Sequence, residues 1–217
     1  MTQDICRYYI VRHGQAELNR DRIVMGILDS PLTPAGRKEA ARLHHELKQI
    51  RFDKVISSDL QRAVDTAGII VAPNTVIVTE AKLRERSLGQ FEGLPLAQLE
   101  KAREEVRQTT DALSPQEQWE RKLMPDLESD AEVFNRVYGY LKAIAEENIG
   151  KTILVVTHSG PIRALLMGLG HFTETTLPPG SFQHGQYMVL DVGPANYVLR
   201  GIYPEMINLS NSALIVS

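Results

Sequence analysis

The chain has 217 residues, of which 43% are hydrophobic and 24% charged, and its formal net charge is −3. At roughly 150 residues per domain, this length predicts one domain spanning residues 1–217, large enough to bury its own core. The lack of a basic excess and the 6% aromatic content argue against nucleic-acid binding. The single cysteine, Cys6, excludes an intramolecular disulfide, and residues 1–7 lack the apolar core of a signal peptide. Because no apolar run approaches the roughly 18 residues of a membrane helix, we expect a cytoplasmic protein with no membrane partner.

The first half of the chain alternates short apolar runs with amphipathic stretches. Thr33 and Pro34 predict a helix start, since threonine caps the first turn and proline fits the first helical position. Ala40, Leu43 and Leu47 then recur at three- and four-residue steps on one helix face. The predicted elements are a strand at 8–11, a helix from Thr33 to about 50, a strand at 54–57, a helix at 59–71 and a strand at 75–79.

The second half begins with a change of pattern, because residues 94–130 are charged and interrupted by three prolines. This stretch is too long for a plain connection and predicts a helical insertion over one face. The elements predicted beyond it are a helix at 132–148, a strand at 152–157, a helix at 161–169 and a hairpin of strands at 187–191 and 197–203. Residues 204–217 leave three alternatives open: a further strand, a subunit contact or a loose tail. The order of elements predicts an α/β fold of three αβα layers around a mostly parallel sheet.

Polar side chains are expected to meet at the carboxyl ends of the predicted strands, where open α/β sheets bind their ligands. The residues expected there are Arg12, His13, Arg62, Glu85 and His158. Arginine presents planar, always-charged donors that match phosphate oxygens, and the helix that starts near Gly160 adds backbone N–H groups. An uncharged imidazole can attack phosphorus, and a carboxylic acid can protonate the leaving oxygen. The pattern therefore indicates a phosphate site.

Six segments, in order, resemble the histidine phosphatase superfamily, in its phosphoglycerate mutase-like branch. They are VRHGQ at 11–15, DSPLT at 29–33, SSDLQRA at 57–63, LRE at 83–85, ES at 128–129 and THSG at 157–160. Each motif alone is weak, but six with matching order and spacing between about residue 7 and residue 166 are highly specific. The resemblance implies the phosphoglycerate mutase-like fold and a small-molecule phosphate ester as substrate, with no metal and no cofactor.

The resemblance also implies roles for individual residues. His13 would be the nucleophile that becomes phosphohistidine, and Glu85 would be the proton donor. The residues implied to hold the phosphoryl oxygens are Arg12, Arg62 and His158. The residues implied to line the substrate site are Asn19, Gly26, Ser57 and Ser159. An alternative for Glu85 is a surface ion pair, since it stands between Arg84 and Arg86.

Three functions remain open at this point: a phosphatase, a phosphoglycerate mutase that returns the phosphoryl group to the substrate, and a catalytically silent phospho-ligand binding module. The insertion lacks the paired arginines of the cofactor-dependent mutases, and its basic residues are interleaved with acids. Those basic residues are Lys101, Arg103, Arg107, Arg121 and Lys122. Because neighbouring acids offset these positive charges, we expect a solvated helical face and not a dedicated binding site for a second anion, which favours the phosphatase. A catalytically silent binding module would not need an acid such as Glu85, so the presence of Glu85 argues against that alternative. His171 and His184 are weaker candidates for the rim of the site, and substrate identity and oligomeric state are undetermined.

Overall fold

The computed structural model describes residues 5–108, 113–194 and 196–204. Within these ranges, one mixed sheet contains β1 Cys6–Arg12, β2 Lys54–Ser57, β3 Ile77–Thr79, β4 Thr152–Thr157, β5 Tyr187–Val192 and β6 Tyr197–Tyr203. The strands lie in the order β3-β2-β4-β1-β5-β6. The first four are parallel, and β5 and β6 form an antiparallel hairpin at one edge. The predicted α/β class, with its mostly parallel sheet, is confirmed, although β3 is shorter than predicted.

The helices of the described residues are α1 Glu17–Arg20, α2 Pro34–Leu47, α3 Gln61–Ile70, α4 Leu96–Gln108, α5 Pro115–Glu120, α6 Asp130–Glu147 and α7 Ser159–Gly168. The Thr33 hydroxyl accepts a hydrogen bond from the Gly36 amide at 3.0 Å, so the predicted cap starts α2. Ser129 and Glu132 form a reciprocal capping box that starts α6 two residues before the predicted position. None of these helices is long and apolar enough to cross a membrane.

Two layers of helices cover the sheet, and β4 shows why. The buried hydrophobic residues form two main clusters, one on each face of the sheet. Ile153 and Val155 belong to the first cluster, whereas Leu154 and Val156 belong to the second, because successive strand side chains point to opposite faces. Residues of α6 and α7 pack on the first face, and residues of α2 and α3 pack on the second. Both faces of the central strands are therefore buried, as parallel sheets require.

The segment predicted as a helical insertion contains α4 and α5 and packs through a small cluster of its own. Leu99 of α4 and Leu127 pack on Val24 and Phe91, which lie in the loops that follow β1 and β3. The insertion thus covers the carboxyl ends of the strands on one side of the sheet. The assignment of residues 1–217 to a single domain stays a prediction. Of the stretch 204–217, all but Pro204 lies outside the described residues.

Candidate active site

Two histidines stand side by side because two neighbouring parallel strands end in register. Arg12 is paired with Thr157 across β1 and β4, and His13 and His158 are the next residue on each strand. The His13 amide donates to the Thr157 carbonyl at 3.0 Å, and the two ring centroids are 4.9 Å apart. The topology therefore brings together the two histidines expected from the sequence.

The His13 imidazole is held as a neutral ring with one defined free nitrogen. Its Nδ1 lies 2.7 Å from the Gly14 carbonyl, which can only accept, so Nδ1 carries the proton and Nε2 keeps its lone pair. The ring is only 2% exposed. Burial, helped by the nearby positive charges, lowers the pKa of His13 well below its usual value. A Cβ on Gly14 would lie less than 3.0 Å from the Gly36 carbonyl oxygen, so only glycine fits the turn that carries this hydrogen bond.

Arg62 is fully buried and is fixed by backbone carbonyls of the loop that follows β1. Its Nη1 donates to the Leu28 carbonyl at 2.6 Å, and its Nη2 donates to the Gly26 carbonyl at 2.8 Å. Asp29 forms an ion pair with it at 3.2 Å. Its Nε has no partner among the described residues. Gly26 has a φ of +51°, a conformation in which glycine is favoured, and this turn presents its carbonyl to Arg62.

Arg12 completes the positive charge of the site. Its Nη1 donates to the Phe182 carbonyl, and its buried Nε has no partner in the part of the chain that the structure describes. Burial lowers the pKa of Arg12 to about 10, so the side chain is still charged at neutral pH. Two buried guanidinium groups with unused N–H donors are a strong attractant for an anion.

His158 is oriented by a hydroxyl that sequence reasoning missed. Its Nε2 lies 2.8 Å from the Ser58 Oγ, and its buried Nδ1 has no partner among the described residues. The predicted residue, Ser57, is also buried, but its hydroxyl donates to the Ser58 carbonyl at 2.8 Å. Ser58 follows β2 just as His13 follows β1. Asking which residue immediately follows each strand would have identified it.

The Glu85 carboxylate is held by backbone amides. Its Oε1 accepts from the Arg86 amide at 2.7 Å, and its Oε2 accepts from the Gly160 amide, at the start of α7, at 3.2 Å. The flanking arginines pair with other carboxylates, Arg84 with Asp59 and Arg86 with Asp130. Among the residues that the structure describes, Glu85 therefore does not form the ion pair considered as its alternative role.

The remaining predicted residues lie around this centre. The Asn19 Oδ1 accepts from the Ala16 amide at 3.0 Å and lies 3.2 Å from the His184 Nε2. His184 is a third imidazole at the site, with its ring centroid 5.6 Å from that of His13, and burial lowers its pKa to about 3. Ser159 is the first residue of α7, beside His158. His171, the other rim candidate, lies elsewhere, against Tyr197.

The site contains two buried guanidinium groups and three imidazoles, and their N–H donors are suited to binding an anion. In the described residues no group of three or more His, Cys, Asp or Glu side chains could hold a metal ion. The side chains that meet at the carboxyl ends of the strands are Arg12, His13, Arg62, Glu85 and His158, together with the rim candidate His184 and with Ser58, which the structure adds.

Comparisons with known proteins agree with this geometry. The sequence model of the histidine phosphatase superfamily (branch 1) matches residues 8–203. The chain is 34% identical to phosphoglycerate mutase-like protein 4 of Arabidopsis thaliana over 169 residues, which covers 75% of this chain and 70% of that protein. A phosphoglycerate mutase structure from Bacillus anthracis superposes with a TM-score of 0.76 at 25% identity, covering 91% of this chain and 92% of that one. A mycobacterial glucosyl-3-phosphoglycerate phosphatase in complex with VO3 superposes with a TM-score of 0.70 at 25% identity, covering 85% and 92%. The chain therefore belongs to branch 1 of the histidine phosphatase superfamily, whose enzymes hydrolyse or transfer phosphate groups.

Proposed function

We propose that the protein is a metal-independent phosphatase that hydrolyses a phosphate monoester through a phosphohistidine on His13. The observation that carries this proposal is the hydrogen bond from His13 Nδ1 to the Gly14 carbonyl, at 2.7 Å. It leaves the Nε2 lone pair available in a buried cradle of positive charge, and a neutral imidazole nitrogen is the form that attacks phosphorus.

In the first step, the His13 Nε2 forms a bond to phosphorus and the ester oxygen leaves. The Nε–H groups of Arg12 and Arg62, which have no partner among the described residues, would bind the phosphoryl oxygens. The Ser58 hydroxyl can donate to His158 Nε2, which makes the His158 Nδ1–H a further donor. Buried donors of this kind stabilise the charge that develops in the transition state without reorganising.

Glu85 would move the proton in both steps. As an acid it protonates the leaving oxygen, which gives the free alcohol and the phosphohistidine. As a carboxylate it then takes a proton from the attacking water, and inorganic phosphate leaves as His13 is regenerated. The amides of Arg86 and Gly160 hold both of its oxygens in place for this exchange.

The proposed substrate-binding residues support this centre in different ways. Asn19 accepts hydrogen bonds with its amide oxygen, so its NH2 group can donate to substrate. Ser159 offers a hydroxyl at the start of α7. Gly26 acts through its backbone carbonyl, which accepts from Arg62, and Ser57 acts through its side-chain hydroxyl, which donates to the Ser58 carbonyl. A cytoplasmic location and a small phosphate ester as the ligand are part of the proposal.

A phosphoglycerate mutase is the second candidate, and one observation favours it. Arg103 of the insertion has no carboxylate at ion-pair distance in the part of the chain that the structure describes, so the insertion is less neutralised than its sequence suggests. A mutase needs such groups to hold the dephosphorylated product while water is excluded.

Two rates measured side by side distinguish the candidates. One is the release of inorganic phosphate from a panel of esters, and the other is the interconversion of 3- and 2-phosphoglycerate with added bisphosphoglycerate. We expect phosphate release to be faster, with both rates lost in His13→Ala. Interconversion faster than every hydrolysis rate would establish the mutase instead.

A further inference from the structure

The ES motif at 128–129 takes no part in the chemical steps proposed for the site, but its glutamate has a defined partner. Glu128 forms an ion pair with Arg136, two turns into α6. The Arg136 Nε donates to one carboxylate oxygen at 2.7 Å, and its Nη2 donates to the other at 2.9 Å. Ser129 caps the same helix. The start of α6 therefore presents an arginine in a fixed orientation.

The rest of the Arg136 guanidinium holds the backbone of the loop that carries Glu85. The carbonyl oxygens that accept from its Nη1 and Nη2 belong to Lys82 at 2.7 Å, Arg84 at 2.9 Å and Glu85 at 3.2 Å. On the other side of Glu85, the Glu128 carboxylate accepts from the Ser87 amide at 3.0 Å. The pair of Glu128 and Arg136 therefore holds the chain both before and after the proposed proton donor.

The hydrogen bonds of Arg136 leave it no donor for a substrate. An arginine has five N–H donors, and Arg136 uses two of them on Glu128 and three on the loop. Burial acts to raise the pKa of Glu128, but the hydrogen bond and charge of Arg136 lower it below its usual value, so the carboxylate is ionised at neutral pH. The arginine is therefore neutralised and saturated, and its contacts suit a role in holding the loop.

The placement of the Glu85 carboxylate depends on anchors at both ends of this residue. The Gly160 amide holds one carboxylate oxygen at 3.2 Å, and Arg136 holds the backbone carbonyl. The Thr157 hydroxyl, at the end of β4, donates to the Leu83 carbonyl at 2.7 Å, which ties the same loop to the strand that precedes His158. Loss of the backbone anchor would let the carboxylate move relative to the histidines.

We propose that Arg136, paired with Glu128, is a positioning residue for the proton donor, because it fixes the backbone from which the Glu85 carboxylate reaches the ester oxygen. This inference rests on the proposed function, in which Glu85 protonates the leaving oxygen. A misplacement of about 1 Å in a reacting group can cost about 100-fold in rate. Loss of Arg136 should have an effect of that order on esters that need the acid. It should have little effect on binding of the phosphoryl group, whose proposed ligands lie on other elements.

Two esters with different leaving groups test this role. The quantity measured is kcat/KM, which covers the steps up to departure of the alcohol, on an alkyl phosphate that the enzyme hydrolyses and on nitrophenyl phosphate. Arg136→Ala should lose about 100-fold on the alkyl phosphate and much less on nitrophenyl phosphate, with inhibition by vanadate unchanged. In a Glu85→Gln background the same change should cost little, because both act on one group. Added guanidinium ion, at a concentration that leaves the variant folded, should restore part of the lost rate, since the Arg136 side chain is 19% exposed.

Arg7→Ala is the matched control. It also breaks a two-bond pair with a carboxylate, to Asp191 at 2.7 and 2.8 Å, and Arg7 lies near the end of β1 that is remote from His13. It should leave the ratio of the two kcat/KM values unchanged. Arg136→Lys is the second variant, should Arg136→Ala fail to fold. Lysine keeps the charge beside Glu128 but lacks the planar group that spans the three carbonyls, so the same selective loss is expected.

Equal losses on both esters, no loss on either, or the full loss in the Glu85→Gln background would overturn the positioning role. Glu85→Gln on the same esters separates this role from the proposed function. If Glu85→Gln shows the selective loss and the Arg136 variants do not, only the positioning role fails. If Glu85→Gln does not show it, the assignment of the proton donor fails and the positioning role with it.

Amide hydrogen exchange decides the matter even if no ester is hydrolysed. The Ser87 amide is held by Glu128 and the Arg86 amide by Glu85. Exchange at both amides should be faster in the Arg136 variant than in the wild type, and unchanged in Arg7→Ala. Equal exchange in the Arg136 variant and the wild type would show that Arg136 does not hold this loop.

Discussion

Replacing Gly160 with alanine should disable the proposed proton donor without altering its charge. A Cβ at this position would lie less than 3.0 Å from Glu85 Oε1, whereas ordinary contact begins near 3.4 Å. The Gly160 φ is not in the left-handed region, and the atom in the way is the end of a flexible side chain. The carboxylate therefore moves, by about 1 Å, and the backbone can stay in place.

The size of the effect follows from this displacement. A misplacement of about 1 Å in a reacting group can cost about 100-fold in rate. Removing the acid altogether, in Glu85→Gln, should cost about 100- to 10,000-fold. Both losses should be large for an ester of a poor alcohol leaving group and small for nitrophenyl phosphate, whose leaving oxygen needs little protonation. Because both changes act on one group, the double variant should lose much less than the product of the two single losses.

The assay is kcat for each variant on the two substrates, with urea denaturation to check folding. Gly139→Ala is the matched control, since a Cβ at Gly139, in the middle of α6, meets nothing within 4 Å. It should leave kcat unchanged. Equal losses on both substrates in Gly160→Ala, or none on either, would refute the assignment of Glu85 as the proton donor.

Three further predictions concern the nucleophile, its protonation and the absence of a metal. Brief mixing with labelled substrate and rapid quenching should trap an acid-labile, base-stable phosphate on the wild type and none on His13→Ala; a label on that variant would exclude His13 as the nucleophile. The lowered pKa values of His13, His158 and His184 mean that the unfolded chain binds protons near pH 6.5 that the folded chain does not. Each of these groups should therefore reduce the free energy of unfolding by up to about 1.4 kcal/mol per pH unit below pH 6.5. Urea denaturation at pH 7 and pH 5 measures this loss, and equal stability at the two values would contradict the buried neutral state. Activity should survive a strong chelator, because the arginines already supply the positive charge; loss that magnesium or zinc restores would show that a metal takes part.

Local patterns were enough to predict most of the fold. The apolar run at 152–157 became β4, and the Thr33 cap and its following proline became the start of α2, because both signals depend on residues close in the chain. The family motifs likewise placed the principal site residues at the ends of strands. Helix starts were less accurate: α7 begins at Ser159, two residues before the predicted start, and the short α1 was not predicted.

Pairing between distant residues was decided only by the tertiary structure. The sequence offers Ser57 and Ser58 as adjacent hydroxyls, and only the packing of β2 beside β4 shows that Ser58 contacts His158. Likewise, His184 lies against His13, but His171, an equal candidate in the sequence, does not. On α4, Glu100 pairs with Arg22, which is distant in the chain, and not with a base of its own helix. Composition and spacing describe which charges are present, whereas their partners depend on which faces the fold turns toward each other.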